Sequence, residues 1–179
     1  GWNNPLITSF KNNRLKSLTC EILQNSLDNP DGSENPVKII FNERSIPTNS
    51  LPDTDGLSSH ISACCSEETL STQSEDSRSE ILKAEEIIKS DKIQILEISD
   101  FNTTGMEGPD IKSKPFHSYI KTEGNAMGGE ARGGAHGHGK AAPLALSQLR
   151  SILISTAWKD ENNRIKKLFQ GRSTLMTHQ

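Results

Sequence analysis

The stretch Glu21-Ile22-Leu23-Gln24-Asn25-Ser26-Leu27-Asp28-Asn29 decides how this chain is read. Glu21, Asn25 and Asp28 are spaced by four and then three residues, so a helix stacks them on one face. At about 100° per residue, Asn25 lies roughly 40° from Glu21 and Asp28 roughly 20° to the other side. Leu15, Leu18, Ile22, Leu23 and Leu27 fill most of the remaining circumference and predict an apolar side turned to a core. The polar stripe holds what metal-dependent hydrolysis requires: a carboxylate to take a proton from water, and oxygens for a hard cation. Alone, the stretch also reads as the solvated face of an amphipathic helix. Its neighbours decide between the two.

Working outward, this helix is expected from about Asn12 to Asp28, stopped by Asn29-Pro30-Asp31-Gly32. Val37-Lys38-Ile39-Ile40-Phe41 reads as a strand, and the prolines at 47 and 52 mark residues 44–55 as a loop. Helical spacing returns from Leu57 to Cys65 and from Ile81 to Ile88, separated by an acidic, serine-rich stretch, 66–79, expected to be mobile. Lys92 to Ile98 alternates as a strand and ends at Asp100. Residues 105–139 are glycine-rich and nearly free of apolar periodicity, the pattern of a functional or disordered loop. A helix over Ala141–Leu149, a strand over Ser151–Thr156 and a hairpin around Gly171 complete the reading. The order is that of a layered α+β domain with helices on one face of a sheet, not of regular βαβ alternation.

With 179 residues the chain suits one domain over residues 1–179 and can bury a real core. Only 32% of residues are hydrophobic and 4% aromatic, so that core is expected to be aliphatic and some segments solvated. A net charge of −3 argues against nucleic-acid binding over the whole surface, and none is evident from this segment. No run of roughly 20 apolar residues offers a membrane span and no signal-peptide pattern opens the chain, so a cytoplasmic protein is expected. Cys20, Cys64 and Cys65 contain no CxxC pair and support neither a disulfide framework nor structural zinc.

Gly133-Gly134-Ala135-His136-Gly137-His138-Gly139-Lys140 precedes the expected Ala141 helix. A helix start offers free N–H groups, glycines let backbone approach phosphate closely, and Lys140 supplies a point charge. The stretch departs from GxxxxGK[ST], because Ala141 stands where that motif places its magnesium-binding hydroxyl. A flexible linker is the plain alternative. The two histidines have no third ligand nearby in sequence and suit a phosphate loop better than a metal tract. Ile95-Leu96-Glu97-Ile98-Ser99-Asp100 sets a carboxylate at a strand end, where it accepts from an amino group or simply closes an Asx-type turn.

In this order the three pieces resemble the nucleotide-binding motifs of the GHKL ATPase superfamily, which includes gyrase B, heat-shock chaperone, MutL and MORC-type ATPases and sensor histidine kinases. EILQNSLDN resembles its N box, which implies Glu21 as general base, Asn25 as Mg2+ ligand and Asp28 as a supporting residue on the adenine side. ISDFNTTGM resembles its first glycine box, with Asp100 accepting from the adenine amine and Asn102, Thr104, Gly105 and Met106 lining the base. GGAHGHGKAAPLALS resembles its second, with Gly134, His136, Gly137, His138, Gly139 and Lys140 around the phosphates and residues 106–135 as an ATP lid. Asn102 stands where a glycine is common, and the late threonine-bearing strand of relatives is not evident.

The resemblance covers residues 12–158 and implies a Bergerat-type two-layer α/β sandwich, with helices on one face of a mixed sheet and a long glycine-rich lid. It implies ATP and Mg2+ as cofactors, slow hydrolysis to ADP with Glu21 and Lys140 catalytic, and a switch within a larger protein of which this is an N-terminal part. A nucleotide-dependent homodimer and a protein partner are the expected associations. Glu21, where histidine kinases of the superfamily carry Asn, favours water as phosphoryl acceptor over a protein histidine. A nucleotide-gated interaction module without significant hydrolysis is the alternative.

Overall fold

The computed structural model describes residues 2, 4–10, 13–109, 111, 114–121 and 139–178. The elements run α1 (Pro5–Thr8), α2 (Arg14–Leu27), β1 (Lys38–Pro47), α3 (Thr54–Cys64), α4 (Glu67–Ser71), α5 (Glu75–Lys89), β2 (Lys92–Phe101), α6 (Pro115–Lys121), α7 (Ala142–Leu146), β3 (Ser151–Lys159) and β4 (Ile165–Ser173). A 3-10 turn at Gly139–Ala141 leads directly into α7. The fold is α+β. Where one mixed sheet is expected, the described strands form two antiparallel pairs, β1 with β2 and β3 with β4.

Helices α3 and α5 cover the first pair. Ile81, Ala84 and Ile88, spaced by three and four, are the buried line of α5. They meet Ile61 and Cys64 of α3, Ile93 of β2, Leu149 and Met176, with Ile46 and Ile95 packed against the cluster. The serines of the 66–79 stretch serve as helix starts. Ser66 accepts from the Thr69 amide to open α4, and Ser74 from the Ser77 amide to open α5. Residues 66–79, an acidic and serine-rich stretch by composition, thus contain two capped helix starts. A smaller cluster of Ile7, Ala141, Leu144 and Ala145, flanked by Phe10 and Ile152, joins α1 and α7 to β3.

Four local expectations change, the first being that residues 44–47, read as loop, extend β1 to Pro47. Gly171 does not turn a hairpin: it lies within β4 opposite Leu153, and the turn is at 160–164. There Asp160 Oδ1 accepts from the amides of Asn162 and Arg164 at 2.9 and 2.8 Å. Residues 115–121, inside the stretch read as irregular, form α6, and the helix expected over 141–149 ends at Leu146.

Most consequential is the rotation of α2. Leu18 is 2% exposed and Ser26 is buried, whereas Leu15 and Leu27 are 62% and 61% exposed. The line Leu18–Ile22–Ser26, buried at its two ends and half-buried at Ile22, therefore adjoins the Glu21–Asn25 stripe rather than opposing it, and Leu27 lies about 180° from Leu18. The polar stripe flanks the packed side. Among the described residues no helix is long and apolar enough to cross a membrane.

Candidate functional site

The C-terminal end of α2 is fastened to the end of β2. Ser26 Oγ donates to Asp100 Oδ2 at 3.1 Å, and Thr103 Oγ1 donates to the same oxygen at 3.1 Å. Backbone bonds from Asp31 N to Asn102 O and from Thr104 N to Asn29 O, both 3.0 Å, continue the join. Both hydroxyls use Oδ2 of this exposed aspartate. Asn102 has φ 60, a conformation that Asn tolerates better than most residues, and its amide donates to Pro36 O at 2.7 Å.

Gly105 is held where no side chain fits. Its φ is +70, and an added Cβ would fall 2.0 Å from Ala157 O. The close approach brings β3 against the loop, where the Met106 amide donates to Thr156 Oγ1 at 2.8 Å. Strand β3, expected from the sequence over Ser151–Thr156, carries a buried threonine at this junction. Thr104 is exposed beside Gly105.

At the other end of the stripe, Asn25 Nδ2 donates to Glu21 Oε1 at 3.1 Å. Lys140 comes close from the turn before α7, its Nζ donating to Ser118 Oγ at 2.6 Å and Ser118 O at 3.1 Å. Burial holds the Lys140 ammonium below its ordinary value; the Arg172 charge adds to that depression and the Glu21 charge opposes it. Tyr119, the next residue of α6, is pushed up to about 12 by burial and by the same Glu21 charge, with Arg172 opposing. Glu21, Lys140, Tyr119 and Arg172 thus share one electrostatic neighbourhood.

Of the residues singled out from the sequence, Glu21 and Lys140 meet near the middle of α2, while Asp100, Asn102, Thr104, Gly105 and Met106 gather at its C-terminal end, about 7.5 Å further along by the rise from Glu21 to Ser26; Asn25, next to Ser26, links the two through its bond to Glu21. Asp28 does not join Asp100: it is the exposed C-cap of α2, and Ser26 takes the neighbouring position instead. Gly139 opens the turn that carries Lys140. Gly134, His136, Gly137 and His138 lie outside the described residues, as do residues 110, 112, 113 and 122–138 of the stretch expected to hold the lid and phosphate loop.

Sequence reasoning missed Ser26, Thr103, Ser118, Thr156 and Arg172. Ser26 sits inside the quoted motif, and only the rotation of α2 reveals its task. Among the described residues, no group of three or more His, Cys, Asp or Glu side chains is arranged to hold a metal ion. A second polar group, His60 with His178 at 2.9 Å and Cys64 with His178 at 3.3 Å, ties the chain end to α3 and shares no residue with the α2 cluster. No family model matches the chain, and no curated protein and no solved structure is similar enough to it to count as a match.

Proposed function

We propose that this chain binds ATP with Mg2+ along α2 and hydrolyses it slowly, as a nucleotide-operated switch. One observation carries the reading. A single helix joins Asp100 at its C-terminal end, through Ser26, and holds Glu21 near Lys140 one and a half turns earlier. An adenine amine suits the Asp100 end, because a planar N–H donor matches a carboxylate oxygen not used by Ser26 or Thr103. Phosphate oxygens suit the other end, where the ammonium of Lys140 lies.

The residues present fit a magnesium ion. Asn25 spends its amide nitrogen on Glu21, which directs its carbonyl oxygen away from that carboxylate. Mg2+ takes few protein ligands and keeps waters and phosphate oxygens, so one amide oxygen is an adequate anchor. Glu21, oriented by Asn25, is placed as the base that draws a proton from water, and Lys140 as the cation that stabilises charge on the transferred phosphoryl group. The Bergerat-type sandwich remains part of this reading, with β3 and its Thr156 as the late strand.

The test is calorimetric titration of ATP and ADP with and without Mg2+, paired with phosphate release. Wild type is expected to bind ATP more tightly with Mg2+ and to turn over. Glu21→Ala is expected to keep binding and lose at least about 100-fold in turnover, as loss of a general base does. Turnover unchanged in Glu21→Ala would remove Glu21 from the mechanism, and no nucleotide binding by wild type would end the reading.

A further inference from the structure

We propose that Arg172 is a second phosphate-binding cation of this site, working beside Lys140. The inference rests on the ATP reading above. Two consecutive carbonyls of α6 each accept from a cation: Ser118 O from Lys140 Nζ at 3.1 Å, and Tyr119 O from Arg172 Nη1 at 3.2 Å. These belong to the last four residues of a seven-residue helix, whose C-terminal carbonyls lack helical partners and attract positive charge. A lysine and an arginine from distant parts of the chain are thereby brought to adjacent anchors.

Position in the sheet gives the pair its direction. Thr156 pairs with Leu168, and Arg172 lies four residues further along the same strand, on the same face. Thr156 touches the Met106 amide at the Asp100 end, so this face runs from the proposed base site to Arg172 over about 13 Å. On α2 the same order holds, from Ser26 at the Asp100 end to Glu21 at the Lys140 end. Helix and hairpin agree on which end is cationic.

Charge supplies the motive. Lys140 and Arg172 disfavour each other, and Glu21 is the carboxylate whose charge opposes that repulsion at Lys140. A polyphosphate relieves such repulsion, and an arginine fork can engage two of its oxygens at once. The plain alternative is that Arg172 only caps α6.

The two are separated by titrating ATP, ADP, AMP and inorganic tripolyphosphate into the full chain and into Arg172→Gln and Arg172→Lys. Arg172→Gln is expected to lose about tenfold or more in affinity for ATP and tripolyphosphate, less for ADP, and to leave AMP unchanged. Arg172→Lys is expected to recover part of the loss. Equal losses for ATP and AMP, or unchanged tripolyphosphate affinity, would overturn the assignment. If wild type binds tripolyphosphate but not ATP, the base-site reading fails while the Arg172 comparison still decides this one.

Discussion

Ser26 and Asp100, 74 residues apart in the chain, are joined by a hydroxyl-to-carboxylate hydrogen bond of 3.1 Å. With the Thr103 hydroxyl on the same oxygen, two donors engage Oδ2, and the proposed ATP reading assigns Oδ1 to the adenine amine. Asp100→Asn retains a carbonyl that can accept from Ser26 and Thr103 while presenting an amide nitrogen where Oδ1 stood. ATP affinity is expected to fall at least tenfold, with stability within about 1 kcal/mol of wild type. Titration and urea unfolding on the same sample check it; equal ATP affinity would mean that Asp100 only closes the turn.

Gly105 and Gly171 make a matched pair for substitution by alanine. At Gly105 the φ of +70 and the Ala157 carbonyl 2.0 Å from the new methyl both oppose the change. At Gly171 the nearest obstacle is the end of the Leu153 side chain at 3.2 Å, which can swing aside. Urea unfolding should show Gly105→Ala destabilised by about 2 kcal/mol or more, and Gly171→Ala within about 0.5 kcal/mol of wild type. Comparable losses at both sites would mean that Gly105 is not pinned against β3.

What the sequence disclosed and what it hid divide by physical cause. Helices α2, α3 and α5, strands β1 to β3 and the Glu21–Asn25 pair are legible because they follow from local spacing; α1, α4, α6 and the turn at 160–164 are not. The rotation of α2 is not, because Leu23 and Leu27 imitate a core face while tertiary bonds at Ser26 turn the helix the other way. Acidic, serine-rich 66–79 reads as a mobile stretch by composition, while Ser66 and Ser74 are N-caps whose value depends on the amides three residues on. Lys140 is marked by its motif, but Ser118 and Arg172 have no local signature. They belong to the site only because α6 and β4 meet there.

Glu80 of α5 gathers contacts that no motif foretells: Trp2 Nε1 at 3.2 Å, Arg14 Nη2 at 3.4 Å and Arg150 Nη2 at 2.9 Å. Arg150 is buried, and its other terminal nitrogen caps α7 through Leu144 O and Ala145 O at 3.1 and 2.9 Å. Glu80→Ala leaves that guanidinium without its carboxylate in a buried setting. The expected loss is about 3 kcal/mol, read by urea unfolding. A loss below 1 kcal/mol would show that water replaces the carboxylate at no great cost.

The cysteines should react in an order set by burial. Cys20 is exposed on α2, whereas burial raises the Cys64 thiol and pushes Cys65 up to about 11, the Glu85 charge adding to the latter. A raised value means less thiolate at pH 8, hence slower attack. In native protein one thiol should be alkylated promptly and two slowly, and all three promptly in denaturant. Mass mapping that finds Cys65 modified as fast as Cys20 would refute the packing of α3 against α5.

Lys140 gives two pH dependences of opposite sign. Its proton is held less tightly in the folded chain than in the unfolded one, chiefly through burial. The unfolded state therefore binds more protons over the interval between the two values, and this residue's contribution to stability rises as pH climbs through it. Phosphate binding runs the other way, since the attracting ammonium disappears over the same rise. ATP affinity measured across alkaline pH should decline with a midpoint below the ordinary lysine value of 10.5. Lys140→Arg keeps its charge throughout and should lose that decline. An identical alkaline profile in both proteins would show that the ammonium of Lys140 takes no part in holding the anion.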